Sequence, residues 1–287
     1  MRYSRRIGLI AAAALVLSAC GGSDSGSSSS GGTVPASADD GPVVSVQDPT
    51  FDRVAQIKER GTLRVGMTLQ FKPQMYRDDN NEPAGYDVEL VKKLAEDLGV
   101  ELEINDLEFP ALIPGMLAGQ FDLISVGLVN RPARAELMGF TRPYVPYRQV
   151  VVINNNSGLA SMDQLNSANV TFTALEGSTA ANRVKTTFPN ARLEERDQAA
   201  AFLEVAAGRA DAIVVEEYLA LGFLATTSNA SILGEPLNQE YGRWAVPRGD
   251  LLWLGYVDNW LDYYTSTGFL NNLYRELIGP TEGLPGS

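Results

Sequence analysis

At 287 residues, with 45% hydrophobic and 20% charged residues, the chain has the make-up of a soluble globular protein and the length for one large domain or two small ones. It contains no histidine, which excludes Ser-His-Asp, Cys-His and His-metal mechanisms, and a single cysteine, which excludes an intramolecular disulfide and a cysteine-rich metal cluster. Lys and Arg number 23 against 35 Asp and Glu, a net charge of −12, and a surface of that sign repels nucleic acid and anionic lipid.

Arg2, Arg5 and Arg6 precede an apolar run from Ile7 to Leu17, the layout of a secretory signal and too short to span a bilayer stably. The run stops at Leu17-Ser18-Ala19-Cys20, and GGSDSGSSSSGG follows at once, a flexible tether composition. Leu-Ser-Ala-Cys resembles the bacterial lipobox, which implies cleavage before Cys20 and a lipid on its thiol. Residues 1–19 then read as a signal peptide and 20–50 as a lipidated, Gly/Ser-rich tether that buries too little surface to offset its ordering entropy. Loss of the three arginines ahead of Cys20 leaves 20 basic against 35 acidic residues, a net charge of −15.

From Phe51 the chain reads as ordered. DRVAQIKERG predicts a short helix closed by Gly61, followed by a strand over 62–65 and a turn-rich loop over 66–83 that holds Phe71. Val88, Val91, Leu94 and Leu98 fall on one face of a helix over 86–98 that ends at Gly99. A strand over 100–104 and a short helix over 110–117 lead into a buried strand over 121–126, which breaks at Gly127 into a polar loop bearing Arg131 and Arg134. The pattern then restarts, with strands over 149–153, 170–174 and 211–215, a helix opened by Gly177-Ser178-Thr179, and a second helix over 197–207. A strand over 241–246 and helices over 251–264 and 269–278 close the chain. Alternating strands and helices predict an α/β fold with a parallel sheet.

The ordered chain resembles the solute-binding proteins of ABC importers, specifically the extracellular family that serves polar amino acids. The fragments are GTLRVGM at 61–67, GYDVEL at 85–90, PALIPGMLAGQFDLI at 110–124, RAELMGFTRPY at 134–144, EGST at 176–179, GRADAIVVEE at 208–217 and YGRWAVPRGD at 241–250. The resemblance implies an α/β, two-lobed type II periplasmic-binding-protein fold with two crossover hinge strands. Lobe 1 is expected at 51–145 plus 241–287, lobe 2 at 146–240, and the ligand in the cleft between them.

It further implies that Arg134 pairs with a ligand carboxylate through its planar fork, helped by Gly127, Ser178 and Thr179 at a helix N-terminus. Phe71 and Phe109 flank the ligand side chain, and Glu216 meets an ammonium where many relatives have aspartate. Val129 stands where a Thr or Ser hydroxyl is common, and Thr68 where some relatives hold a cationic side chain with aspartate, so a basic amino acid is less favoured than a neutral or apolar one, or than a carboxylate lacking a standard amino group. For Arg131 the reading is an ordinary surface charge. The expected partners are an amino acid or small carboxylate, an ABC permease, and the membrane through the lipid anchor. The protein is expected to be monomeric, without cofactor, metal or nucleic acid, on the periplasmic or outer face of the cytoplasmic membrane. Two alternatives stand beside transport. One is a prephenate-type dehydratase, whose catalytic glutamate two residues after the threonine corresponds here to Ala181; the other is a ligand-sensing module for a receptor.

Overall fold

The computed structural model describes residues 52–279 and Leu284; the expected signal segment, Cys20 and the tether lie outside them. Asp52 accepts the Ala55 N–H to start α1 (Arg53–Arg60), and Gly61 ends it at φ 73°. β1 (Thr62–Met67) follows. The stretch expected as a loop carries a small antiparallel sheet of β2 (Gln70–Phe71), β3 (Met75–Arg77) and β4 (Pro83–Ala84). α2 (Tyr86–Leu98) has the expected bounds and buries Val88, Val91, Leu94 and Leu98. Then come β5 (Glu101–Asp106), a 3-10 turn into α3 (Leu112–Leu117), β6 (Leu123–Leu128), α4 (Pro132–Ala135) and β7 (Met138–Phe140).

The second run begins with β8 (Val145–Asn154) and continues through β9 (Thr171–Leu175), α5 (Thr179–Thr187), β10 (Arg192–Arg196), α6 (Gln198–Ala206), β11 (Ala212–Glu216) and α7 (Glu217–Leu224). It closes with β12 (Ala230–Pro247), α8 (Leu251–Ser266) and α9 (Phe269–Leu277). Between β8 and β9 the chain makes a 3-10 turn with a capping box from Ser161 and Gln164.

The main sheet runs β10-β9-β11-β8-β12-β6-β1-β5, with β7 on β12. Its outer strands pair in parallel, as the alternation predicts. β8 and β12 are antiparallel to each other and to their outer neighbours β11 and β6, and they carry the chain from one half of the sheet to the other. The structure therefore has the mixed α/β sheet of a type II periplasmic binding protein. Along β8, Val150 and Val152 join the main apolar cluster while Val151 and Ile153 join a second one with Phe172 and Val184, the period of two expected of a strand covered on both faces.

At the start of β6 the fully buried Asp122 gathers three arginines: Arg60 at 2.5 Å, Arg64 at 3.2 Å and Arg53 at 3.3 Å. Arg53 also reaches Asp250 at 2.5 Å, and the Trp253 indole donates to the Asp122 carbonyl, so α1, β1, β6 and α8 meet at one carboxylate. Among the described residues no helix is long and apolar enough to cross a membrane.

Candidate functional site

The carboxyl ends of β6, β9 and β11 open into a cleft of about 420 Å³, counting the part open to solvent. In open α/β sheets, small molecules bind at such strand ends. Phe71, Phe109, Gly127, Val129, Arg134, Ser178, Thr179 and Glu216, all singled out from the sequence, line it.

Arg134 lies in α4, packed so that only 5% of it is exposed. Nη1 donates to the Val129 carbonyl at 3.1 Å and Nη2 to the Gly177 carbonyl at 2.9 Å. Nε has no partner, and Arg134 forms no ion pair among the described residues. Two of five N–H bonds thus orient the guanidinium, leaving Nε–H and one hydrogen on each Nη to grip a carboxylate side-on. The Phe109 ring lies 5.7 Å from the guanidinium carbon. Burial, and then the neighbouring Arg131, pull Arg134 down to about 10, so it stays charged at neutral pH. Arg131 is not a free surface charge. It is half-buried, its Nη2 is 3.4 Å from the Gly177 carbonyl, and it does not line the cleft.

Across the cleft Gly177 turns at φ 69°, and the Ser178 hydroxyl caps α5 by accepting the Ala181 N–H at 3.0 Å. Thr179 is therefore the first residue of a nine-residue helix whose amino end favours an anion. Its hydroxyl accepts from Gln149 Nε2 at 3.0 Å, which leaves the hydroxyl hydrogen free to donate. Gln149 is fully buried and sits opposite Glu216 in the β8–β11 ladder. Glu216 ends β11 and begins α7. Burial raises its pKa, opposed by a Gln149 hydrogen bond and, more weakly, by Arg134.

The glycine at 127 is required by geometry. Its φ is +64°, and a Cβ there would fall 1.6 Å from the Tyr147 hydroxyl. Its N–H donates to Tyr144 Oη, so that N–H is already engaged. Tyr144 Oη donates in turn to Asp87 at 2.8 Å, and the Gln74 amide joins the same carboxylate, at 3.2 Å, to Tyr147 Oη, at 2.6 Å. Asp87 is fully buried, and desolvation pushes its carboxyl up to about 7 against the Tyr144 and Gln74 hydrogen bonds.

Thr68 does not line the cleft; its hydroxyl donates to the Leu107 carbonyl at 2.8 Å. The sequence reading missed Tyr147, Tyr218 and Gln198, which do line it. Tyr147 and Tyr218 stack at 6.0 Å. Gln198 directly follows Asp197, whose side chain caps α6, so its local signal is that of a helix start. Among the described residues no group of three or more His, Cys, Asp or Glu could hold a metal ion.

The family model of bacterial extracellular solute-binding proteins, family 3, matches residues 63–280. The arginine-binding extracellular protein ArtP of Bacillus subtilis is 29% identical over 164 residues, 56% of this chain and 63% of that one, so the match spans less than two thirds of that relative. Cyclohexadienyl dehydratase of Pseudomonas aeruginosa is 25% identical over 225 residues, 76% of this chain and 83% of the enzyme. Among solved structures, the ancestral amino acid-binding protein AncCDT-1, described as a precursor of cyclohexadienyl dehydratase, superposes with a TM-score of 0.73 at 29% identity, covering 79% of this chain and all of that one.

Proposed function

Because the chain belongs to the bacterial extracellular solute-binding proteins, family 3, we propose that it is the substrate-binding lipoprotein of an ABC importer. On this reading it captures an α-amino acid or related small carboxylate in the cleft and delivers it to the permease. The observation that carries the ligand class is the pairing of Arg134, a buried cation with no carboxylate partner among the described residues, with Glu216 across the same cleft. A zwitterion answers both groups. Its carboxylate meets the free edge of the Arg134 fork and the amino end of α5, and its ammonium meets Glu216.

The two halves of the sheet act as lobes, 51–145 with 241–287 and 146–240, and β8 and β12 serve as the hinge. Ligand contacts made to both lobes in the closed state favour closure. Signal cleavage and lipidation at Cys20 hold the protein on the outer face of the membrane. It works as a monomer without cofactor.

A dehydratase reading has one specific observation in its favour, the enzyme relative. Against it stands Ala181, which has no acid to offer where those enzymes are expected to place one, and whose N–H is spent on the Ser178 cap. Glu216 would have to serve as the acid, whereas the zwitterion reading uses it as the ammonium partner.

Calorimetry of wild type and Arg134→Ala with a panel of amino acids tests the binding reading. Affinity for the best ligand should fall by at least about thirtyfold, as when a buried charged hydrogen-bond partner is removed. Unchanged affinity would refute the carboxylate clamp.

A further inference from the structure

Once a zwitterion's two charges are answered, no charged side chain of the described residues remains on the cleft wall. Among the described residues that line it, Arg134 and Glu216 are the only ionisable groups apart from tyrosines. Glu240 lies outside the lining; Arg183 holds its Oε1 at 3.0 Å, and its Oε2 finds no hydrogen-bond partner among the described residues. A lysine-like or arginine-like side chain would therefore enter an apolar, ring-lined space with no carboxylate to meet it, and burying an unpaired cation is strongly unfavourable. An acidic side chain would lack a second cation.

The rest of the wall is Phe71, Phe109, Tyr147, Tyr218, the Ser178 and Thr179 hydroxyls, aliphatic groups and one side-chain amide. Gln198, at the first turn of α6, lines the cleft and is only 3% exposed, and its Nε2 finds no hydrogen-bond partner among the described residues. Ser178 accepts the Ala181 N–H and Thr179 accepts from Gln149, each keeping a hydroxyl hydrogen at the helix end expected to meet the carboxylate, and Tyr147 pairs with Gln74. A buried amide donor left unmet is costly, and buried donors facing a cleft are ordinarily satisfied by what enters it.

Building on the α-amino acid reading above, we infer that the cleft selects an uncharged α-amino acid whose side chain carries a hydrogen-bond acceptor. Gln198 is the residue that reads that acceptor, and cationic side chains are rejected. Sites built to hydrogen-bond a ligand group discriminate strongly against ligands that lack it, because the buried partner is left unpaired.

Three probes on the whole protein test this by calorimetry: L-glutamine, L-leucine and L-arginine. Wild type should bind L-glutamine at least about tenfold more tightly than L-leucine and at least about a hundredfold more tightly than L-arginine. Gln198→Leu should bring L-glutamine to within about twofold of L-leucine, and Gln198→Glu should raise L-arginine affinity at least about tenfold. L-Arginine binding wild type as tightly as L-glutamine would overturn the selectivity and leave the amino acid reading standing. A glutamine-to-leucine ratio in wild type near one, or one unchanged by Gln198→Leu, would overturn the role of Gln198. Failure of all three probes to bind wild type would remove the α-amino acid reading itself. The wild-type comparison decides the selectivity even if a variant fails to fold.

Discussion

Glu216 and Arg134 are held in the cleft by opposite compromises. Burial resists the charge on each, and each retains only part of the pairing that a charged group normally requires. For Glu216 the consequence is a pH dependence. Its carboxyl must be ionised to meet an ammonium, and its pKa lies above the ordinary carboxylate range. Amino acid affinity should therefore weaken as the pH is lowered through that raised pKa. Glu216→Gln should bind at least about tenfold more weakly above that pKa and lose this dependence, measured by calorimetry in matched buffers. A variant with the wild-type profile would assign the titration elsewhere. At this scale the sequence was informative where chemistry is unusual: an arginine in the loop after a buried strand, a Gly-Ser-Thr helix start, an acid at a strand end. It was silent where a residue has a strong ordinary explanation. Gln198 reads as the first residue after a cap, and Tyr147 as one position of an alternating strand.

Among the elements, those with clean periodicity were legible and those shaped by their neighbours were not. α2 combines a four-residue apolar stripe with a terminal glycine, and its bounds match the expectation. β10, Arg192–Arg196, is mostly charged and is a strand only because it pairs along β9 at the sheet edge. The first half of β12 contains Gly234 and Pro236 and changes register between Leu233 and Asn238, so no alternation marks it. It is held as a strand by its long antiparallel pairing with β8. α7 is apolar on most sides and shows little of the stripe that sequence reading relies on. The knot at Asp122 tests how elements are tied. Asp122→Asn takes the carboxylate from Arg60 and Arg64 and removes the Asp122 ion pair of Arg53. Breaking a buried pair of this kind costs about 3–5 kcal/mol, a drop of about 6 °C or more in Tm for a domain of this size. Asp122 sits at the start of β6 and the cleft at its end, so ligand affinity at low temperature should stay within about twofold of wild type. A loss of affinity without a loss of Tm would contradict this division.

For the whole molecule, the two crossing strands are what make closure a proposal with content. Gly242 pairs with Val145, and a Cβ on it would meet Val145 at 2.5 Å and the Gly127 Cα at 2.7 Å, so the two crossing strands and the end of β6 are packed tightly where β8 begins. Addition of a saturating amino acid ligand should reduce the radius of gyration measured by small-angle X-ray scattering, and Arg134→Ala should not respond. An unchanged radius with bound ligand would argue against hinge closure. Asp87 ties the same region to α2, and its raised pKa makes stability fall with pH. Between the ordinary carboxylate value and about 7 the folded state holds a proton that the unfolded state has released. Stability from this group is complete below that window and lost as the pH rises through about 7. Asp87→Asn keeps an oxygen for Tyr144 and removes the charge, so its Tm relative to wild type should rise between about pH 5 and about pH 8. A constant difference would show that Asp87 is ionised throughout.

The knot at Asp122 also sets an order of assembly. Arg53 and Asp250 are 197 residues apart, and β6 has one edge on β1 and the other on β12. Until β12 and α8 are in place, β6 is open along one side and Asp122 lacks the Trp253 indole. Pairing over so long a separation is slow. In this chain the strands nearest the start of the described residues are completed only by those near their end, which makes a stable core a late event in folding.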